Sequence, residues 1–202
     1  MASSTTDTCK GIQQTIDWCE GTPEIGGVCR EVYYACISDI VIEAKIPVDT
    51  KGRPTSATLQ GEYKFAADCV AQRIDILPEK SKFSSDPQGE YPSQSQLDKL
   101  NLYHPSIGPV ATAACCYINN APCIFWFKDS QGRWRVVGSK RFPIKNTVTQ
   151  DGGEGPTGSP STVINVESTN IVSAPYYTGK LLTVDGEIDC STDTVTHDTE
   201  GA

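Results

Sequence analysis

The sequence CIFWFKDSQGRWRVVG, residues 123–138, predicts a β-hairpin on which the rest of the fold is built. The five residues from Cys123 to Phe127 have the length and the aromatic and branched side chains of a buried strand. Asp129-Ser-Gln-Gly132 is typical of a turn, and Arg133 to Gly138 forms the returning strand. The hairpin therefore joins an apolar strand to a more basic one.

Other segments on both sides of the hairpin are also typical of strands, being rich in branched or aromatic residues or alternating polar with apolar side chains. They comprise residues 32–37, 40–46, 62–65, 71–77, 163–168 and 181–184. A helix is predicted over residues 110–119, because Pro109 suits a first helical position, and a helical turn is predicted within residues 97–103. The pattern predicts an α+β, mostly β fold.

The chain divides into an arm, one domain and a tail. Residues 1–30 are polar and Gly-rich, which predicts an extended N-terminal arm with one helical turn around residues 12–18. Residues 31–190 form a single β-rich domain, from which the polar residues 78–95 extend as an exposed segment or a long hairpin. Residues 191–202 are expected to be a frayed acidic tail.

Composition and charge exclude several classes of function. The chain has 17 basic and 25 acidic residues, a formal net charge of −8, which argues against a protein that wraps nucleic acid. Its two histidines leave little room for imidazole catalysis. Gly153 and Gly158 have the spacing of a phosphate-binding loop, but Ser159 follows where that loop needs lysine. We expect no enzyme activity, no catalytic residues, no cofactor and no metal.

The N-terminal sequence lacks the basic region and apolar core of a signal peptide. We therefore expect a soluble protein that is made in a cytoplasm and does not enter a membrane. A reducing compartment disfavours structural disulfides, although the chain has nine cysteines.

The cysteines leave two interpretations open. Cys9, Cys19 and Cys29 are spaced ten residues apart, which fits either a metal or disulfide knot or a chance pattern in a flexible arm. No C-x-x-C pair of the kind used by zinc sites is present. The cysteines near the hairpin are interpreted as small core hydrophobes. These are Cys115, Cys116 and Cys123.

Charges are segregated along the chain. Six basic residues lie between Lys128 and Lys145, and six acids without any lysine or arginine follow Lys180. These groups are either two solvated faces or complementary patches that meet in a neighbouring copy. Trp126 and Trp134 on the hairpin also raise the possibility of a platform for stacking nucleic-acid bases.

The order of motifs around the hairpin resembles that of the tail tube (major tail) proteins of phages that infect Bacteroidota. The resemblance covers residues 21–186, while the cysteine content departs from it. The residues that carry it most clearly are Asn119, Asn120, Asp129, Gly132, Arg133, Arg135, Gly138, Tyr176, Tyr177 and Gly179.

The resemblance implies a tail-tube-type β-sandwich with one flanking helix, assembled into hexameric rings that stack into a hollow tail. It implies that loops and the N-terminal arm reach the next ring, and that the partners are other copies and other tail proteins. Viral DNA would pass through the lumen without being tightly bound, and a negative lumen would repel its phosphates. The expected location is the tail of the virion.

Two alternatives remain open at the level of the sequence. In the first alternative, the chain is another virion part, namely a head–tail connector, a tail terminator or a capsid decoration protein, and it would form a single ring or a trimer. More distantly, it is a carbohydrate-binding β-sandwich in which Trp126 and Trp134 form the sugar platform.

Overall fold

The computed structural model describes residues 15–142, 144–155 and 157–197, which form antiparallel sheets and one α-helix. This confirms the α+β, mostly β prediction. The helix is α1 (Pro109–Asn120), and short 3-10 helices cover Ile37–Asp39 and Pro78–Lys80. The strands are β1 (Val28–Cys36), β2 (Ile40–Ile42), β3 (Lys64–Phe65), β4 (Gln72–Asp75), β5 (Lys82–Gln88), β6 (Ser95–His104), β7 (Cys123–Asp129), β8 (Trp134–Val137), β9 (Ile144–Asp151), β10 (Ser161–Asn170), β11 (Lys180–Thr183), β12 (Gly186–Asp189) and β13 (Thr194–Thr196).

Two four-stranded sheets pack face to face around the main core. The central sheet has the order β4-β1-β7-β8 and contains the predicted hairpin, while the second sheet has the order β5-β6-β10-β9. Phe125 and Phe127 of β7 share this core with Leu100 of β6 and Ile164 of β10. The two sheets thus form a sandwich, with α1 adding Ile118 to the same core.

The opposite face of the central sheet is buried as well. Because side chains alternate along a strand, Ile124 and Trp126 point away from Phe125 and enter a second core with Tyr63 and Leu181. The rings of Trp126 and Tyr63 meet edge to face, with centroids 4.8 Å apart. The small sheets β11-β12-β13 and β2-β3 lie on this side. A sheet that is covered on both faces needs apolar residues at every position, which is why residues 123–127 are uniformly apolar.

Helix α1 begins at Pro109, as predicted from the favourable first-turn position of proline. Gly108 precedes it as the N-cap, and the helix ends at Asn120. Its buried side chains, Cys115 and Ile118, lie three residues apart and therefore on one face. That face anchors the helix beside β9.

Several sequence predictions differ from the structure. The helical turn predicted within residues 97–103 was wrong, because this segment is part of β6 and alternately buries Asp98, Leu100 and Leu102. Residues 78–95 contain β5 and the turn that leads into β6, so they form the long-hairpin alternative. The strand predicted over residues 40–46 is formed only at its start, by β2.

The two ends of the domain also carry strands. β1 begins at Val28, inside the segment predicted to be an arm, and β13 lies within the segment predicted to be a frayed tail. β13 forms because Val195 pairs opposite Ile188 of β12. The helical turn predicted around residues 12–18 lies partly outside the described residues, and residues 15–18 are not helical.

Candidate functional site

The Asp129 carboxylate organises the turn of the central hairpin. Its Oδ1 accepts the backbone N–H groups of Gln131 and Arg133, each at 3.0 Å. Its Oδ2 accepts Nε–H of Arg133 at 2.9 Å and Nε–H of Arg135 at 3.3 Å. Gly132 completes the turn with its N–H donated to the Asp129 carbonyl at 2.9 Å. Four residues singled out by the resemblance thus lie in one cluster, in which the Asp129 carboxylate accepts four hydrogen bonds from donors of the same hairpin.

Tyr176 joins this cluster from a distant part of the chain. The Arg135 guanidinium lies over the Tyr176 ring, 4.2 Å from its centre, and Nη2 donates to the Tyr176 hydroxyl. The backbone around Tyr176 continues the sheet, because Val136 N–H donates to the Pro175 carbonyl and Tyr177 N–H donates to the Trp134 carbonyl, both at 3.0 Å. The segment therefore covers the outer edge of β8.

Tyr177 points to the opposite face and enters the second core. Its hydroxyl donates to the Lys180 carbonyl at 2.6 Å and accepts the backbone N–H of Tyr63 at 3.2 Å. Burial raises the pKa of this hydroxyl, so it remains a donor. A Cβ atom at Gly179 would lie 2.6 Å from the Tyr177 oxygen, so the tight approach requires glycine. Gly138 is constrained too, because it has φ +104° and a Cβ there would lie 2.8 Å from Ile144.

Asn119 and its neighbour Asn120 have different roles. The Asn119 amide accepts the backbone N–H of Val148 at 2.7 Å and donates to the Val148 carbonyl at 3.0 Å, so it replaces a strand partner at the outer edge of β9. Asn120 only donates to the Cys116 carbonyl within the helix, at 2.7 Å. Helix α1 thereby covers an edge that would otherwise be open to other strands.

The root of the N-terminal arm is attached to the same hairpin turn. Ser130 donates from its hydroxyl to the Gly26 carbonyl at 3.1 Å and from its backbone to the Gly27 carbonyl at 3.3 Å. The Gln131 amide donates to the Glu24 carboxylate at 3.2 Å. The Asp129 turn therefore fixes the point at which the arm leaves the domain.

Large apolar side chains are exposed on the two segments that project from the sandwich. On the arm, Ile16 is 97% exposed and Trp18 is 65% exposed. Between β5 and β6, Tyr91 is 88% exposed. Burial of each of these side chains would be favourable, but each lies exposed on a projecting segment rather than within a core.

The tryptophans of the hairpin are not a binding platform. Trp126 is fully buried and Trp134 is 4% exposed, so neither the sugar platform nor the nucleic-acid platform is formed. The Trp134 indole N–H donates to Asp193 at 3.2 Å, and Lys128 forms an ion pair with the same carboxylate at 2.5 Å. The basic hairpin and the acidic end of the chain therefore meet within one molecule at this point.

The cysteines differ from the sequence interpretation in one respect. Cys115 and Cys123 are buried as predicted, but Cys116 is exposed on α1. Cys9 lies outside the described residues, while Cys19 is exposed and the Cys29 thiol donates to the Asp129 carbonyl at 3.3 Å. Within the described residues, no three histidine, cysteine or acidic side chains are grouped as metal ligands.

One cysteine pair was missed by the sequence analysis. Cys36 and Cys123 are opposite each other on β1 and β7, with their sulfur atoms 2.9 Å apart. They are separated by 87 positions in the chain, so no local spacing pattern could reveal them.

None of the helices in the described ranges combines the length and the apolar character needed to cross a bilayer. Comparison of the chain with protein families, curated proteins and solved structures gave no significant match.

Proposed function

We propose that this protein is a structural subunit of a phage tail tube that assembles with copies of itself into stacked, hexameric rings. The observation that carries the proposal is the exposure of Ile16, Trp18 and Tyr91 on two projecting segments that are rooted in a rigid sandwich. Such side chains are buried when the segments contact neighbouring subunits. This arrangement agrees with the order of sequence motifs that resembles tail tube proteins.

The edges of the two large sheets support assembly through strands. The Asn119 amide covers the outer edge of β9, and the segment around Tyr176 covers that of β8. In contrast, within the described residues β5 pairs with β6 alone, so its other edge is available to a strand of a neighbour. Pairing at this edge with a segment of a neighbour would extend the sheet from one subunit to the next.

The net charge of −8 supports a conduit for DNA. In a stack of rings, the charge repeats with every subunit, so the wall repels phosphates and the DNA slides without being held. The partners are then other copies, other tail proteins and DNA in transit.

Electron microscopy of the purified full-length protein in negative stain tests the proposal. We expect rings with a central hole, and tubes at higher protein concentration. A protein that stays monomeric at high concentration in sedimentation experiments would contradict the proposal. A single ring that never stacks would favour a head–tail connector or a tail terminator, and a trimer would favour a decoration protein.

A further inference from the structure

We propose that Cys36 and Cys123 form a redox-active dithiol that hydrogen peroxide oxidises to a disulfide between β1 and β7. The two thiols belong to the central strands of the molecule, where Cys36 is 2% exposed and Cys123 is completely buried. Their sulfur atoms are 2.9 Å apart, and either thiol can donate a hydrogen bond to the other.

The strand register favours this disulfide. Ile37 N–H donates to the Pro122 carbonyl at 3.0 Å, one position beyond the pair on each strand. Cys36 and Cys123 are therefore a non-hydrogen-bonded pair, the type with the shorter Cα separation of about 4.5 Å. That separation lies inside the range of about 4.4–6.8 Å that disulfides span, so β1 and β7 need no rearrangement.

Cys36 is also reachable by a small oxidant. It lines a surface pocket of about 220 Å³ together with Tyr117, Cys69 and Asp39. A water molecule occupies about 30 Å³, and hydrogen peroxide is only slightly larger, so the pocket has ample room for it. Cys123 is not part of the pocket wall. We therefore assign the reaction with hydrogen peroxide to Cys36 and the subsequent attack on the oxidised Cys36 to Cys123.

The hydrogen bonds at Cys36 favour its thiolate. The hydrogen bond with Cys123 and, to a lesser degree, the nearby Tyr117 hydroxyl lower the pKa of Cys36, even though burial opposes the shift. The same hydrogen bond, together with burial, raises the pKa of Cys123. Since the thiolate is the nucleophile, this asymmetry agrees with attack by Cys36.

The proposed reaction has two balanced steps. The Cys36 thiolate attacks one oxygen of hydrogen peroxide, the O–O bond breaks, and Cys36 sulfenic acid and hydroxide are formed. The Cys123 sulfur then attacks the Cys36 sulfur, the S–O bond breaks, and the thiol proton leaves with the hydroxyl group as water. Two thiols are thus oxidised by two electrons, and one peroxide is reduced.

Peptide mapping of the full-length protein tests this proposal. The reduced protein is treated with stoichiometric hydrogen peroxide, denatured, alkylated and digested without reductant. We expect a peptide that links Cys36 to Cys123 to form several-fold faster than the exposed Cys19 and Cys116 are oxidised. Cys69→Ser should leave this link unchanged, and Cys123→Ser should accumulate a sulfenic acid at Cys36 that dimedone labels.

Two results would overturn the proposal. One is that Cys36 and Cys123 both remain alkylatable while Cys19 and Cys116 are oxidised. The other is a link from Cys36 to Cys69 instead of Cys123. Both are measured on the wild-type protein, so neither depends on whether a cysteine variant folds.

Discussion

The Arg135 guanidinium lies 4.2 Å from the centre of the Tyr176 ring and donates to the hydroxyl of the same side chain. Through Nε, Arg135 also donates to Asp129, so one arginine joins the hairpin turn to the segment that covers the edge of β8. Its side chain is mostly shielded from solvent, whereas that of Arg133 is half exposed. The Arg133 guanidinium lies farther from the same ring, 5.4 Å from its centre. The two arginines therefore form a matched pair in which Arg135 differs by its shielding and by its hydrogen bond to the Tyr176 hydroxyl.

Arg135→Lys should lower the free energy of unfolding by about 1–3 kcal/mol, because one ammonium nitrogen cannot occupy the positions of both Nε and Nη2 and has no planar group to lie over the Tyr176 ring. Arg133→Lys, which changes an exposed ion pair, should cost less than about 1 kcal/mol. Urea denaturation of both variants measures the difference. Equal losses would show that the contact between Arg135 and Tyr176 contributes nothing specific.

The adjacent asparagines at the end of α1 give a second comparison. Asn119→Ala removes the hydrogen bonds to both the N–H and the carbonyl of Val148 and should destabilise the protein by about 1–3 kcal/mol. It should also promote aggregation, because the edge of β9 is opened. Asn120→Ala removes one local bond at an exposed position and should cost less than about 0.5 kcal/mol. Denaturation curves and light scattering distinguish the two, and similar behaviour of both variants would exclude edge protection by Asn119.

These contacts show which features the sequence alone could predict. The hairpin at residues 123–138 was predictable because an apolar run and an Asp-x-x-Gly turn are local signals. Asp129 and Arg135 are only six positions apart, so both belong to the short motif that carries the resemblance. β9 was missed because Ile144–Asp151 has few apolar residues, and it forms through pairing with β10 and with Asn119. The Cys36–Cys123 contact depends on the register of β1 and β7, which no spacing in the chain encodes.

Asp98 gives a prediction for the dependence of stability on pH. It is fully buried on β6, and burial raises its pKa to about 6, although the Ser85 hydroxyl, the Ala174 N–H and the charge of Arg135 oppose the shift. Between about pH 4 and pH 6 the folded state binds more protons than the unfolded state, so this group makes the protein less stable as pH rises through that range.

Relative to Asp98→Asn, the wild-type protein should therefore gain about 1–1.5 kcal/mol of stability when the pH falls from 7.5 to 5. The comparison with Asp98→Asn cancels the contribution of other titrating groups, since they are common to both proteins. Denaturation at a series of pH values measures it. A stability difference that stays constant with pH would contradict a raised pKa at Asp98.

The proposed disulfide predicts a large effect on stability. Linking Cys36 to Cys123 closes a loop that spans 87 positions, and chain entropy alone then predicts roughly 4–5 kcal/mol of stabilisation. The oxidised wild-type protein should lose this gain when dithiothreitol is added, and the double variant Cys36→Ser, Cys123→Ser should not respond to dithiothreitol. Thermal denaturation with and without reductant provides the test, and a response of the double variant would assign the effect to other cysteines.

The arm gives the sharpest test of assembly. The double variant Ile16→Asp, Trp18→Asp should prevent the formation of rings and tubes, because it places two charges where apolar side chains are expected to be buried against a neighbour. Since both residues are exposed in the single chain, the thermal midpoint of the monomer should hardly change. Thr15→Asp adds a charge to the same arm without removing an apolar group, and it should still assemble. Electron microscopy and sedimentation measure both variants. Tubes formed by the double variant, or a block caused equally by Thr15→Asp, would show that the apolar side chains of the arm do not hold the subunits together.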